Sequence, residues 1–148
     1  MDKEKIHSFV SREVKRRVDQ LSELLEDAQT ASAGETKSSA GDKHETSRAM
    51  AHLEQEKLGG QLAELNKLKE VIFLIDPTKK HTSIQLGSLV ETSNGWFYIS
   101  VGIGAINFEN TTIFCMTPAA PLGKFLLGKK IGDQINWQGK KINITNLI

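Results

Sequence analysis

Val10, Val14, Val18, Leu21, Leu25 and Ala28 follow one another at steps of four, four, three, four and three, and residues 4 to 30 contain no Gly or Pro. That spacing predicts a helix with a heptad-like seam that wants a partner helix. Glu13, Lys15, Arg16, Arg17, Glu23 and Glu26 fall mostly off the seam. The apolar stripe is therefore narrow, suited to a two-helix contact more than to a thick core. A second series, Met50, Leu53, Leu58, Leu62, Leu65, Leu68 and Ile72, recurs mostly at threes and fours, and Pro77 marks its latest end. Between the two series, Thr30 to Gly41 is small, polar and rich in breakers, which predicts a loop. The arrangement expected is an antiparallel helical hairpin. About 27 helical residues make an arm of roughly 40 Å, and because such a hairpin buries little, it should project from something more compact. Gly59-Gly60 interrupts the second series at a cost of about 1 kcal/mol per glycine relative to alanine, so a bend or close packing is expected there.

After Pro77 the pattern changes to short strands. Ser88–Thr92 and Trp96–Val101 flank Ser93-Asn94-Gly95, a hairpin signal. Ile113–Met116 reads as a third strand. Lys124-Phe125-Leu126-Leu127 follows Pro121 as a short helix stopped by Gly128, and Gln134–Trp137 and Lys141–Thr145 flank a turn at Gln138-Gly139-Lys140. The expected fold is α+β: an N-terminal coiled-coil hairpin over residues 1–75, then a small antiparallel sheet domain with a short helix over residues 76–148.

Composition adds bounds. Of 148 residues, 39% are apolar and 25% charged, an ordinary globular balance. Nineteen basic against eighteen acidic residues give +1, which excludes a protein that holds nucleic acid by bulk positive charge. Divided after Asp76, the first part carries twelve basic and fifteen acidic groups, net −3, and the second seven and three, net +4. The two parts suit different surfaces. A single cysteine, Cys115, excludes an intramolecular disulfide or a cysteine-rich zinc site, and between Phe114 and Met116 it reads as a small core residue. The charged start of the chain predicts neither a secretory signal nor a transit peptide, and no apolar run approaches the roughly 18 residues that would span a bilayer. A cytoplasmic protein with no membrane partner is expected.

Candidate chemistry is sparse. Asp42 and Glu45, three apart at the predicted start of the second helix, place two carboxylates on one face that can reach a common divalent cation. The same spacing makes a helix-capping box, which the spacing taken alone favours. Two carboxylates are too few for a tight magnesium site, so a complete one needs ligands from elsewhere. Lys15, Arg16 and Arg17 form a basic cluster that can meet phosphate, or a solvated face paired with Glu13 or Asp19. Gly123 to Lys130 imitates a phosphate loop, but Lys130 stands where a hydroxyl must meet magnesium and the interior is bulky, so that reading is rejected. His7, His44, His52 and His81 show no metal-ligand spacing, Gly102-Ile103-Gly104 reads as a bend between strands, and no nucleophile motif is present.

Gly41-Asp42-Lys43-His44-Glu45, Ile75-Asp76-Pro77, Leu86-Gly87-Ser88-Leu89-Val90 and, above all, Pro121 to Asp133 occur in an order that resembles the bacterial Gre transcript-cleavage factors, GreA and GreB. The similarity runs along nearly the whole chain. It implies a coiled-coil hairpin joined to an FKBP-like domain that docks on bacterial RNA polymerase, with Pro121, Leu122 and Gly123 in the docking region. It also implies that Asp42 and Glu45 enter the secondary channel and help hold a second Mg2+ and orient water, so that the polymerase hydrolyses backtracked RNA near its 3′ end. On that reading Mg2+ is bound only in complex with the polymerase, shared with its carboxylates, and the protein is a monomeric co-catalyst with no enzyme activity alone. Lys15, Arg16, Arg17 and Arg48 are the candidate RNA or phosphate contacts. The tip departs from the family where Glu45 is followed by Thr46-Ser47-Arg48-Ala49 in place of Asn-Ala-Glu-Tyr, and Ala120 replaces the serine before Pro121. The alternative is a regulator that occupies the same channel without promoting cleavage. A prolyl isomerase on the FKBP-like domain is a third reading, which the family does not imply.

Overall fold

The computed structural model describes residues 1–35 and 41–148, with the side chains of 1–31 and 45–148. Two long helices, α1 (Lys3–Glu35) and α2 (Gly41–Leu74), precede six strands: β1 (Leu89–Thr92), β2 (Gly95–Ile99), β3 (Gly104–Phe108), β4 (Thr111–Met116), β5 (Gln134–Trp137) and β6 (Lys140–Leu147). A short helix, α3 (Pro121–Leu126), lies between β4 and β5. The α+β arrangement expected from the sequence is the one observed. The chain forms two compact units, Arg12–Lys69 and Met1–Ser11 with Glu70–Ile148. This division departs from a cut between 75 and 76 because the sheet unit needs the first turns of α1 to cover one of its faces.

In the helical unit the loop expected over Thr30 to Gly41 is helical as far as Glu35; residues 36 to 40 lie outside the described residues. Ala28, Ala31 and Ala33 are strong helix formers, and the Thr30 hydroxyl donates back to the carbonyl of Glu26 at 3.0 Å, so this stretch lacks apolar periodicity without lacking helix propensity. Along α1, Val14 and Val18 are buried and Leu21, Leu25 and Ala28 half-buried. Along α2 the covered positions of this unit are Ala51, Gln55, Leu58, Gly59, Leu62, Leu65 and Leu68. Met50 and Leu53, placed on the seam by the sequence pattern, are instead 65% and 64% exposed. The five-residue step from Leu53 to Leu58 breaks the heptad. Counting back from Leu58 by threes and fours leads to Gln55 and Ala51.

The sheet unit is built on strand order β3-β4-β2-β1-β6-β5. Its pairs are antiparallel except β2 and β4, which run parallel, with Tyr98 beside Cys115, so the sheet is mixed and not antiparallel throughout. The reason is β3, absent from the sequence reading, which takes up the reversal between β2 and β4 as the hairpin partner of β4. Glu109 and Asn110, both at positive φ (47° and 63°), form its two-residue turn. Paired residues share a face, so Leu89, Tyr98, Cys115, Ile113 and Ile106 line one side. The first turns of α1 cover it: Phe9 meets Phe108 edge-on, and the His7 ring shares a 2.7 Å hydrogen bond with the hydroxyl of fully buried Tyr98. The opposite side forms a core of Ile84, Val90, Phe97, Ile99, Leu126, Ile135, Ile142, Ile144 and Leu147, closed by α3.

Polar groups anchor the covered face. Buried Lys3 donates its ammonium to the carbonyl of Lys79, and its pKa is lowered by burial against the opposing pull of Asp76. His81 shares a 2.8 Å hydrogen bond with Ser88, which is fully buried. Burial, and next the charge of Lys3, lowers the pKa of both His7 and His81, so the folded state favours their neutral forms. The unfolded chain then takes up more protons as pH falls through the ordinary histidine value of about 6.5, and stability present above that value is lost below it. Melts of the parent protein followed by fluorescence of Trp96 and Trp137 should show a lower Tm at pH 5.5 than at pH 7.5. The His7→Gln/His81→Gln variant should lose most of that difference.

Candidate functional site

The end of the helical unit, where α1 stops at Glu35 and α2 starts at Gly41, carries the two candidate carboxylates. Asp42 is the second residue of α2 and Glu45 the fifth, so both belong to its first turns and the position before the helix falls at residue 40, outside the described residues. The side chain of Asp42 is likewise outside the described residues. Glu45 is exposed, as is Arg48. Residues three apart on a helix are surface neighbours, with Cβ atoms about 5–6 Å apart. By backbone position, residues 42, 45 and 48 thus follow one another along one stripe of α2, the first two nearest the positive end of the helix dipole and Arg48 one turn past Glu45. No cluster of three or more metal-ligating side chains occurs among the described residues. Asp42 and Glu45 by themselves offer two hard carboxylates, suited to Mg2+ in kind and short of its octahedral requirement in number.

The basic cluster is held differently. Glu13 accepts from Arg16 Nε and Nη2 at 3.0 and 2.8 Å and from Arg17 Nε at 3.0 Å, and Arg16 Nη1 also reaches Gln20 at 3.2 Å. The hydrogen bond from Arg16, followed by those of Arg17 and the two positive charges, holds the Glu13 carboxyl down at about 2. Pairing with Glu13, the alternative to phosphate contact, is thus satisfied for both arginines, while Lys15 is exposed. Arg16 sits 19 residues before the end of α1, about 28 Å along the helix axis. The structure therefore joins Arg48 to the carboxylate stripe and leaves Lys15, Arg16 and Arg17 well away from it.

Pro121, Leu122 and Gly123 open α3 in the sheet unit. Pro121 is exposed at the first helical turn, Leu122 packs against the core and Gly123 is buried. A Cβ on Gly123 would lie 2.4 Å from the Thr117 carbonyl oxygen, so this glycine is there for close backbone packing. Of the three, Pro121 alone is fully presented at the surface. The sequence reading missed the exposure of Met50 and Leu53, further along α2 than Glu45, whose signal was the misfit of the step from Leu53 to Leu58 to the heptad.

A scan against protein-family models finds no match, and a search of curated proteins finds none. Among solved structures, the chain is similar to one described as the "Structure of the transcription factor Gfh1", at 16% sequence identity and a TM-score of 0.39, with 93% of this chain and 92% of that one covered. No described helix is long and apolar enough to cross a membrane.

The start of α3 gives a direct test of its packing. Ala120 occupies the N-cap with φ −59° and ψ 150° and makes no side-chain cap. Ala120→Ser should raise stability by about 1 kcal/mol by supplying one. Gly123→Ala should lower it by about 1–3 kcal/mol through overpacking against backbone that cannot yield. Urea unfolding followed by tryptophan fluorescence reads both.

Proposed function

We propose that the chain is a transcription elongation factor that acts on bacterial RNA polymerase, entering its secondary channel with the end of the helical unit and stimulating hydrolysis of backtracked RNA. The observation that supports this reading is the position of Asp42 and Glu45, in the first turns of α2 where the two helices reverse. It joins the Gre-like motifs of the sequence to a helical hairpin that ends in carboxylates.

On this reading Asp42 and Glu45 offer oxygens to an incompletely held Mg2+ whose remaining ligands belong to the polymerase. Bound there, the metal would polarise the scissile phosphate and lower the pKa of an attacking water. The chain's own contribution is placement. Helical backbone holds the attachment points of the two carboxylates about 5–6 Å apart, so part of their approach to a common cation is set in advance. Arg48 lies on the same stripe and presents positive charge to RNA phosphate. Docking through the sheet unit, with Pro121 at its surface, would supply affinity independently of the carboxylates.

Arg48 also favours a second reading. A guanidinium one turn from Glu45 opposes a cation held there, which suits a factor that fills the channel without promoting cleavage. A stalled, backtracked complex with labelled RNA separates the two. Under the first reading the parent protein shortens the RNA, and Asp42→Ala/Glu45→Ala lowers the rate at least about a hundredfold, equivalent to roughly 3 kcal/mol, with polymerase affinity changed less than about threefold. Under the second, the parent protein leaves the RNA intact and slows elongation. Cleavage by the double variant at the parent rate would remove the role given to the two acids.

A further inference from the structure

α2 carries Gly59 and Gly60 side by side well inside its 34 residues. Interior helical glycine is ordinarily explained by a left-handed φ or by a neighbour too close for a Cβ. Neither applies here: both residues have helical φ, and a Cβ on either would meet nothing within 4 Å. The close packing expected from the sequence is therefore absent among the described residues. The cost in helix stability remains.

A second observation falls at the same level of the hairpin. Gln55 Nε2 donates to the carbonyl of Ala28 at 3.3 Å, which sets residues 28 and 55 level with each other. Four residues back along α1 and four forward along α2, Leu24 stands level with Gly59. One residue past Gly60 begins the lining of a cavity of about 440 Å³, between Leu21, Leu24 and Leu65 and bounded by Gln20, Gln61 and Glu64. Leu24 is 50% exposed, whereas Leu58, just before the glycines, is buried. The pair that weakens α2 along its own axis thus lies between well-covered Leu58 on one side and that cavity on the other.

We infer that Gly59-Gly60 is a hinge about which the carboxylate-bearing end of the helical unit bends, the cavity beside it giving Leu24 and Leu65 room to close. α1 follows by the gentle curvature long helices tolerate. Glu45 lies 14 residues beyond Gly59, about 21 Å along the axis, so a bend of roughly 10° moves it by about 4 Å.

Ser47 and Lys67 are exposed on either side of the glycines, and Cys115 is buried. Spin labels on the Ser47→Cys/Lys67→Cys protein therefore report on α2 alone. A straight helix places these positions about 30 Å apart. The parent should give a broad distance distribution with a shorter shoulder, and Gly59→Ala/Gly60→Ala should narrow it to a single peak. The same pair should slow amide exchange over residues 60 to 64 by about 20-fold, the effect of restoring two alanines to a helix. Asn66→Ala, which raises helix propensity outside the hinge, should leave the width unchanged. A parent distribution as narrow as that of the double variant, or equal narrowing by Asn66→Ala, overturns the hinge. Because the labels read the hairpin without polymerase, this result does not depend on the proposed function.

Discussion

A helix of six residues cannot cover both faces of a six-stranded sheet, and the sheet unit is organised around that shortage. α3 closes the side that carries Phe97 and Ile99, and the side that carries Leu89 and Tyr98 is left to the first turns of α1. Ile6 and Val10 supply apolar cover, and both are fully buried. Sheets with an open apolar face invite association, so the start of α1 is as much a part of this core as any strand. The cost is polar. Covering the face buries Lys3, His7 and His81, and burial shifts all three pKa values downward, with the charge of Lys3 adding to the shift at the two histidines. The core is therefore built for neutral histidines.

What the sequence makes legible follows from what local pattern encodes. The seam of α1 is legible because burial on one face of a helix forces a repeat that a reader can count. The Ser93-Asn94-Gly95 and Gln138-Gly139 turns are legible because positive φ selects glycine, and Gly95 (115°) and Gly139 (77°) adopt it. The β3–β4 turn escaped because Glu109 and Asn110 reach the same conformation without glycine, and its strand, Gly104–Phe108, buries only Ile106 and Phe108. The parallel pairing of β2 with β4 leaves no mark in either strand. Parallel and antiparallel neighbours can bury the same residues, and the direction is decided by what the intervening chain does.

The candidate site was legible in a different sense. Spacing placed Asp42 and Glu45 at a helix start, and read from spacing alone, capping and cation binding ask for the same residues; with α2 beginning at Gly41, Asp42 is its second residue and stands past the N-cap position. For Arg16 and Arg17 the structure shows the pairing the spacing allowed, with Glu13 taking both guanidinium groups. A basic run read from sequence overstates the free charge whenever an acid sits three or four residues away.

Two carboxylates are a poor magnesium site, and on the proposed reading that weakness is useful. A chain with a complete set of ligands would hold its metal in solution and carry it, with its hydration, to a channel where the polymerase already supplies acids. On that reading a half-set would bind little alone and gain its affinity only where the missing ligands stand, which would confine activity to the assembled complex. The same reasoning limits how much positive charge the stripe can bear. Arg48 in the next turn assists only if it meets RNA phosphate before it repels the metal, and that balance is set within a few ångströms. At such distances the interaction of two charges varies steeply with separation, so the placement of the first turns of α2, more than their composition, determines which function the carboxylates serve.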